Sequence, residues 1–306
     1  MRQFIKGCSG MERKNMNREK SPISQFSCVA VAVTVLLLSG ISPVAAQTAT
    51  APAELIPEIK LPTVEIPDVK LPSVEMLLEK MVNAVGGEKA IRKHTSQSVT
   101  GVFEVPAQGI IGDFTSRSAK GNLSTTQVSM PGFGDFLQGS NGAVIWSDNP
   151  QEGAQILEGA KKEQRLIQSI FYPLLDIKKT YKDIKVAGVT KHAGQKCYEL
   201  NLTTQSGGER RMYVNMTSFL IAGEKFTASM PMGDVEFISE FSDYKEFDGV
   251  MIATNNLTDI GRFMQQILTI EEVSFEPLEK GTFDLPDSIK KLLADDDEPA
   301  TSQPSD

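Results

Sequence analysis

Alternating apolar and polar residues run through most of the stretch 95–277, and this pattern limits the possible folds more than any other feature. Successive side chains of a strand point to opposite faces of a sheet, so an alternating run predicts a strand with one buried face. Turn residues such as Gly207-Gly208 separate the runs where hairpins need them. The pattern predicts a curved antiparallel sheet or incomplete barrel of about 11 strands.

Two stretches have helical periodicity instead. After Ser73, which is a suitable N-cap, apolar residues recur at helical spacing as far as Gly86-Gly87. Residues 158–181 carry a second apolar helical face, which Pro173 divides into two pieces. A sheet with helices at its start and in its middle is an α+β arrangement, and we expect the helices to cover the concave face.

Composition excludes one class of partner. The chain has 306 residues, with 31 Lys and Arg against 39 Asp and Glu, and a formal charge of −8. Nucleic-acid binding needs a basic stripe that displaces counterions from phosphates, and no such stripe is visible. Apolar content of 40% and charged content of 23% are those of an ordinary soluble globular protein. We therefore expect no nucleic-acid partner.

The first 46 residues have the order of a bacterial secretory signal peptide. Basic residues precede the apolar run CVAVAVTVLLLSGI, and Val44 and Ala46 are suitably small for the −3 and −1 positions of a cleavage site. The apolar stretch 26–41 is short for a membrane-spanning helix, which needs about 20 residues, although an uncleaved anchor stays an alternative. We expect cleavage after Ala46 and a product in the periplasm or otherwise exported.

A five-residue repeat follows, IPEIK-LPTVE-IPDVK-LPSVE, with a proline in each unit. Proline at this spacing forbids a helix and removes ladder donors, so the segment should be extended. It is either a spacer or an aliphatic strip that docks on a sheet or a partner. The sequence thus divides into a signal peptide at 1–46, a proline-rich spacer at 47–72, a domain at 73–293 and an acidic disordered tail at 294–306.

Four phrases resemble a known family: EMLLEKMVNAVGGEKAIRKHTSQSVTGVFEVP, QGSNGAVIWSDNP, FSDYKEFDGVMIATNN and LTIEEVSFEPLEKGTFDLP. With the order of helix, strands, central helices and further strands, they resemble the LolA/LolB-like superfamily, which includes outer membrane lipoprotein-sorting proteins, RseB and LppX. The resemblance covers roughly residues 74–287. It implies an incomplete antiparallel barrel with an apolar concave face under a helical lid that takes up acyl chains.

An apolar surplus on the candidate strands and central helices would line such a cavity. Thioether and aromatic side chains suit flexible acyl chains, because apolar burial has no directional requirement. Periodicity cannot distinguish an open cavity from a filled core, so both interpretations stay open. The candidate lining residues are Phe103, Phe114, Phe133, Phe136, Trp146, Phe171, Leu175, Met212, Phe237 and Phe241.

The sequence offers little for catalysis. His94 and His192 are its two histidines, and the motifs HExxH, CxxC and GxSxG are missing. Cys197 follows His192 by five residues, a spacing that a hairpin explains without chemistry. The adjacent pair Glu271-Glu272 falls on opposite faces of a strand. We expect no enzyme activity, no catalytic residue, no cofactor and no metal.

The expected function is that of a carrier or sensor binding lipid or an acylated lipoprotein, as a monomer, with a membrane-associated protein as a possible partner. The alternative is a non-catalytic scaffold module that uses the proline strip or a sheet edge. Lys161-Lys162 and Arg210-Arg211 are candidates for contacts with anionic head groups, although a solvent-exposed role is favoured. An outer-membrane barrel is disfavoured, because several candidate strands fall short of the roughly 9–11 residues needed to span.

Overall fold

The computed structural model describes residues 70–230, 233–261 and 264–297. Its strands alternate between buried and accessible positions along much of their length, as the sequence predicts. The strands are β1 (Ser96–Val105), β2 (Ile110–Ala119), β3 (Leu123–Met130), β4 (Gly134–Asn141), β5 (Ile145–Asn149), β6 (Gly153–Ile156), β7 (Asp183–His192), β8 (Gln195–Thr203), β9 (Glu209–Asn215), β10 (Ile221–Met230), β11 (Gly233–Phe247), β12 (Val250–Ile260) and β13 (Met264–Ser274). The helices are α1 (Val74–Ala84), α2 (Gly87–Lys93), α3 (Gly159–Ser169), α4 (Ile177–Thr180) and α5 (Asp287–Asp297), with a short 3-10 turn at Pro106–Gln108.

All these strands belong to one antiparallel sheet with the spatial order β6-β5-β4-β3-β2-β1-β13-β12-β11-β10-β9-β8-β7. Pairing of β1 with β13 joins the two halves of the chain into one curved sheet. No pairing of β6 with β7 occurs among the described residues, so the sheet stays open there. The predicted α+β class and incomplete barrel are confirmed, with thirteen described strands where the sequence predicts about 11.

The N-terminal helix begins and ends where the sequence predicts. The Ser73 hydroxyl accepts the N–H of Met76 at 3.2 Å and so caps α1. At the other end Gly86 has φ +106°, and a Cβ there would lie 2.1 Å from the carbonyl oxygen of Gly249 in the β11–β12 hairpin. Only glycine allows this approach, which fixes α1 against the sheet.

Strand register aligns side chains of neighbouring strands into rows across the concave face, and each row is one level along the strands. Gln97, Ser118 and Ser124 form one row across β1, β2 and β3. Two levels further along the strands, Phe114 and Val128 form another row. The face is therefore polar at one level and apolar at another, although every one of these residues points to the same side.

Two large apolar clusters make up most of the described core. One joins α1 and the α3–α4 region to β8–β12, and the other consists mainly of strand side chains. The first contains Leu77, Met81, Tyr172, Leu174, Ile177, Leu200, Ile221 and Phe241, and the second contains Phe103, Phe114, Val128, Phe136, Phe226, Phe237, Ile260 and Leu268.

The predicted signal peptide, spacer and tail are only partly covered by the described residues. The signal peptide at 1–46 and most of the spacer at 47–72 lie outside the described residues, and so do residues 298–306. Helix α5 takes in the first residues of the segment that was predicted to be a disordered tail. Among the described helices, none is long and apolar enough to cross a membrane.

Candidate ligand-binding pocket

A pocket of about 130 Å³ lies between the concave face and the segment that runs from α3 to α4. We call residues 159–181 the lid. The sequence breaks the lid at Pro173, which follows the end of α3 and precedes α4, and both pieces contribute to the pocket wall. The pocket thus has a sheet floor and a helical roof.

One side of the pocket is apolar. Its apolar strand residues come from β9, β10 and β11, and its roof comes from the middle and end of the lid. Strands β9 and β10 also bring the buried ion pair of Arg210 and Glu224 into the pocket. Met212 is half-buried here, and Phe241 is 3% exposed. The apolar lining consists of Ile167, Ile170, Phe171, Pro173, Leu174, Ile177, Met212, Ile221 and Phe241.

The other side is polar and comes from β1, β2 and β3. It includes the row of Gln97, Ser118 and Ser124, together with Ser116 and Thr126 from the next row. The Ser116 and Thr126 hydroxyl oxygens lie 3.2 Å apart and share a hydrogen bond. A ligand here would therefore meet small hydroxyl and amide groups at one end and aliphatic and aromatic groups at the other.

Arg165 reaches from the lid into this polar end and is 5% exposed. Its Nη2 donates to Thr126 Oγ1 at 3.2 Å and its Nη1 donates to Gln168 Oε1 at 3.3 Å. No carboxylate of the described residues forms an ion pair with it. Burial disfavours the charged guanidinium and lowers the pKa of Arg165 to about 10.

Several buried polar atoms converge on the same end. Arg165 Nε, Gln97 Nε2 and Ser124 Oγ have no hydrogen-bond partner within the described part of the chain, and all three residues line the pocket. A buried polar group without a partner costs about 1–3 kcal/mol, and such groups are rare in folded proteins. Three such groups line this one pocket, so the pocket offers hydrogen bonds that the described residues do not use.

A second buried arginine lies in the pocket but is paired. Arg210 Nη1 is 3.8 Å from Glu224 Oε2, and both side chains are almost fully buried. Its guanidinium carbon lies 4.0 Å from the centre of the Phe226 ring. Burial alone would lower the pKa of Arg210, but the charge of Glu224 and contact with Tyr181 raise it above its ordinary value.

The lid is held to the sheet by a latch at Glu163. Its carboxylate accepts the N–H of Ser206 at 2.9 Å, the hydroxyl of Thr204 at 3.0 Å and the hydroxyl of Ser206 in a short contact. Burial raises the pKa of Glu163, but these hydrogen bonds more than offset that effect and the pKa lies below its ordinary value. The fully buried residues of α3 are Arg165 and Ser169, and the half-buried Ile167 adds apolar packing against the first cluster.

Replacing Glu163 by glutamine is expected to loosen the lid, because the neutral amide is a weaker acceptor than the carboxylate. Amide hydrogen exchange across α3 should accelerate by about fivefold, which corresponds to roughly 1 kcal/mol. Lowering the pH should weaken the latch in the native protein as well, and it should appear as smaller protection factors once the slower intrinsic exchange at low pH is corrected for. The stabilisation is complete above the ordinary pKa of 4.5 and is lost as the pH falls through the lower folded value.

Glu158→Gln is the matched control, because Glu158 is exposed at the start of the same helix and makes no capping hydrogen bond. Its exchange rates should equal those of the native protein. Unchanged exchange in Glu163→Gln would show that something other than this latch holds α3.

The structure places the ten predicted lining residues at different levels. Phe171, Met212 and Phe241 line the pocket, and Leu175 packs beside it against the first apolar cluster. Phe133 is 52% exposed at the turn between β3 and β4. The four residues that fill the second apolar cluster instead are Phe103, Phe114, Phe136 and Phe237.

Trp146 lies on the opposite face of the sheet. It pairs with Gly139, whose neighbours along β4, Gln138 and Ser140, continue the concave face across from Thr126 and Ser124. A Cβ at Gly139 would come within 2.6 Å of the indole, so the ring packs directly on the glycine. The strand period alone explains why this large side chain cannot reach the pocket.

Sequence reasoning missed the polar half of the pocket. Arg165 was not singled out, because nothing in the pattern of an amphipathic helix marks an arginine that points inward. Arg210 was favoured as a solvent-exposed residue, and the structure corrects this: it is 7% exposed, whereas its neighbour Arg211 points outward. Period-two alternation with Met212 was the available signal for Arg210.

The groups considered for catalysis lie outside the pocket lining. His192 Nε2 is 2.9 Å from the carbonyl oxygen of Ser239, and its ring stacks on Tyr213. Burial raises the pKa of the Cys197 thiol, which disfavours the nucleophilic thiolate. No cluster of three or more potential metal ligands occurs among the residues that the structure describes.

The chain has low-identity similarity to several solved structures. No family model matches the chain, and no curated protein matches it. A DUF1329 family protein from Desulfovibrio piger is 14% identical over 70% of this chain and 98% of its own, with a TM-score of 0.49. A LolA superfamily protein from Nitrosomonas europaea is 15% identical over 70% and 99%, with a TM-score of 0.48.

A third similar structure is a putative outer membrane lipoprotein-sorting protein domain from Vibrio parahaemolyticus. It is 15% identical over 65% of this chain and 91% of its own, with a TM-score of 0.42. Similarity at this level says nothing about what the pocket holds.

Proposed function

We propose that this chain is an exported, non-catalytic carrier or sensor that binds the acyl chain of a lipid or lipoprotein under its lid. The observation that carries the proposal is the apolar side of the pocket, where Phe171, Met212, Ile221 and Phe241 meet between lid and sheet. Such a surface suits a flexible hydrocarbon chain because it offers area without directional demands.

The pocket volume requires the lid to move when a ligand enters. At about 130 Å³ the space is well below the roughly 300–1,000 Å³ of ordinary ligand pockets. The fully buried residues of α3 are Arg165 and Ser169, and its half-buried Ile167 packs against the first apolar cluster, so lifting the helix exposes a limited apolar surface. A lid fastened by polar contacts can open at low cost, as a site for a long acyl chain needs.

Filling the pocket tests the proposal. Met212→Trp adds a large ring to a small pocket and is expected to lower the affinity for dansyl-undecanoic acid at least about tenfold. The full chain is expressed, the purified product is titrated with the probe, and fluorescence enhancement gives Kd. Mass spectrometry of the native protein should also show bound acyl lipid.

Arg211→Trp is the matched control, since Arg211 is adjacent on β9 but points to the other face and is half-exposed. It should bind the probe as the native protein does. Equal loss in both variants, or a native protein that neither carries lipid nor takes up the probe, would contradict the proposal. The scaffold alternative would then be the one to pursue, although most of the proline strip lies outside the described residues.

A further inference from the structure

The polar end of the pocket holds a charge that nothing in the protein neutralises. Three charged residues line the pocket: Arg165, Arg210 and Glu224. Arg210 and Glu224 form an ion pair and compensate each other. The described pocket lining therefore has one uncompensated positive charge, that of Arg165, which is 5% exposed.

The hydrogen bonds of Arg165 also fall short of its capacity. A guanidinium has five N–H donors, and the described residues accept two hydrogen bonds from it. The Nε atom is among the buried atoms without a partner, as is Nε2 of the nearby Gln97. Both are donors, and the Ser124 hydroxyl can also donate. A group that satisfies all of them must be an acceptor with several lone pairs.

An anion meets both requirements at once. A carboxylate or phosphate oxygen accepts several hydrogen bonds, and its negative charge offsets the desolvated guanidinium. A neutral carbonyl or hydroxyl group would satisfy a donor but would leave the buried charge uncompensated. A cation is excluded by the sign of the charge.

Strand register places the donors together. Thr126, which accepts from Arg165, is two residues from Ser124 on β3, and Ser124 lies in the same row as Gln97. Alternate residues of one strand share a face, so these groups border one side of the pocket. The apolar strand lining comes from β9, β10 and β11, which β13 and β12 separate from β1 in the sheet and which also carry the mutually neutralised pair of Arg210 and Glu224. The layout fits a molecule with an anionic end and a hydrocarbon end.

We propose that the acyl ligand of this pocket carries an anionic head group, a carboxylate or a phosphate monoester, and that Arg165 binds it together with Gln97 and Ser124. This rests on the proposed acyl-binding function and names the class of its ligand. The head group lies against the polar rows of β1 to β3, and the chain extends under the lid toward Met212 and Phe241.

Ligands with one chain and different heads test the head group separately from the chain. The full chain is expressed and purified, and the uncharged probe N-phenyl-1-naphthylamine is bound. Its displacement is measured with dodecanoate and dodecyl phosphate below their critical micelle concentrations and with dodecanol below its solubility limit. Dodecanoate or dodecyl phosphate should displace the probe at about tenfold lower concentration than dodecanol. The stronger of the two identifies the head.

Arg165→Met should remove this preference, so that all three compounds displace the probe equally, and Arg165→Lys should restore part of it. Lys161→Met is the matched control, because it removes one exposed positive charge from the same helix. Its preference should equal that of the native protein. A merely structural role of Arg165 would change the affinity for all three ligands together and would leave their ratio unchanged.

The outcomes separate the two proposals. Equal displacement by all three compounds in the native protein would overturn the anionic head group and leave acyl binding standing. Failure of the probe and of all three compounds to bind would overturn both. Competition by inorganic phosphate as strong as that by dodecyl phosphate would assign the polar end to a free oxyanion and overturn the acyl ligand.

Discussion

Arg165→Met is expected to raise the free energy of unfolding by about 2 kcal/mol in the absence of ligand. Burial lowers the pKa of Arg165 from an ordinary 12.5 to about 10, so the folded state disfavours the charged form. Because the folded value is the lower one, this cost is present in full at neutral pH. Methionine has a similar length and no charge to desolvate.

Urea unfolding of the native protein and the variant measures the change, and the melting temperature should rise by about 6 °C. Thr126 keeps a hydrogen bond to Ser116 after the substitution, which limits the loss. A structural role for Arg165, tying α3 to β3, predicts the opposite sign. A variant that unfolds at lower urea concentration than the native protein would therefore contradict the interpretation of Arg165 as a functional charge held at the expense of stability.

Arg210→Met is expected to act in the opposite direction and to lower the free energy of unfolding by about 3–5 kcal/mol. The substitution leaves the buried Glu224 carboxylate without the cation that lies 3.8 Å away, and it also removes the contact with the Phe226 ring. The two arginines line the same pocket, and their difference is that one has a carboxylate partner.

A double-mutant cycle isolates the pair. Glu224→Leu alone should also destabilise, whereas Arg210→Met combined with Glu224→Leu should recover most of the loss, because no uncompensated charge is then buried. Urea unfolding of the four proteins gives the coupling energy. A double variant as unstable as Arg210→Met alone would show that the arginine acts through packing and not through Glu224.

Much of the fold could be predicted from the sequence because local rules agree with one another there. Alternation and turn residues predicted the strands, Ser73 and the two glycines bounded α1, and Pro173 divided the lid. The four residues Gly153–Ile156 are too short to show a period, and this edge strand was not predicted. The long-range pairing of β1 with β13, which makes one curved sheet, depends on residues far apart in the chain.

The candidate site was predicted less well, and the aromatic residues show why. Phe237 and Phe241 lie four residues apart on β11 and point to the same face, yet Phe237 fills the second apolar cluster and Phe241 lines the pocket. Phe114 similarly lies one row beyond the hydroxyl row of Ser116 and Thr126. Period two predicts the face of a residue and contains no information about its level.

The sequence by itself determined the class of fold, the strand faces and the positions of the helices, because these follow from periodicity and backbone preferences over a few residues. Only the tertiary structure decided which level of the concave face stays open under the lid. It also decided that Arg210 meets Glu224 while Arg165 meets no carboxylate among the described residues. Pairing of buried charges depends on strand register and on the position at which a helix packs on the sheet. Both are set by contacts between residues far apart in the chain, which local sequence patterns do not show.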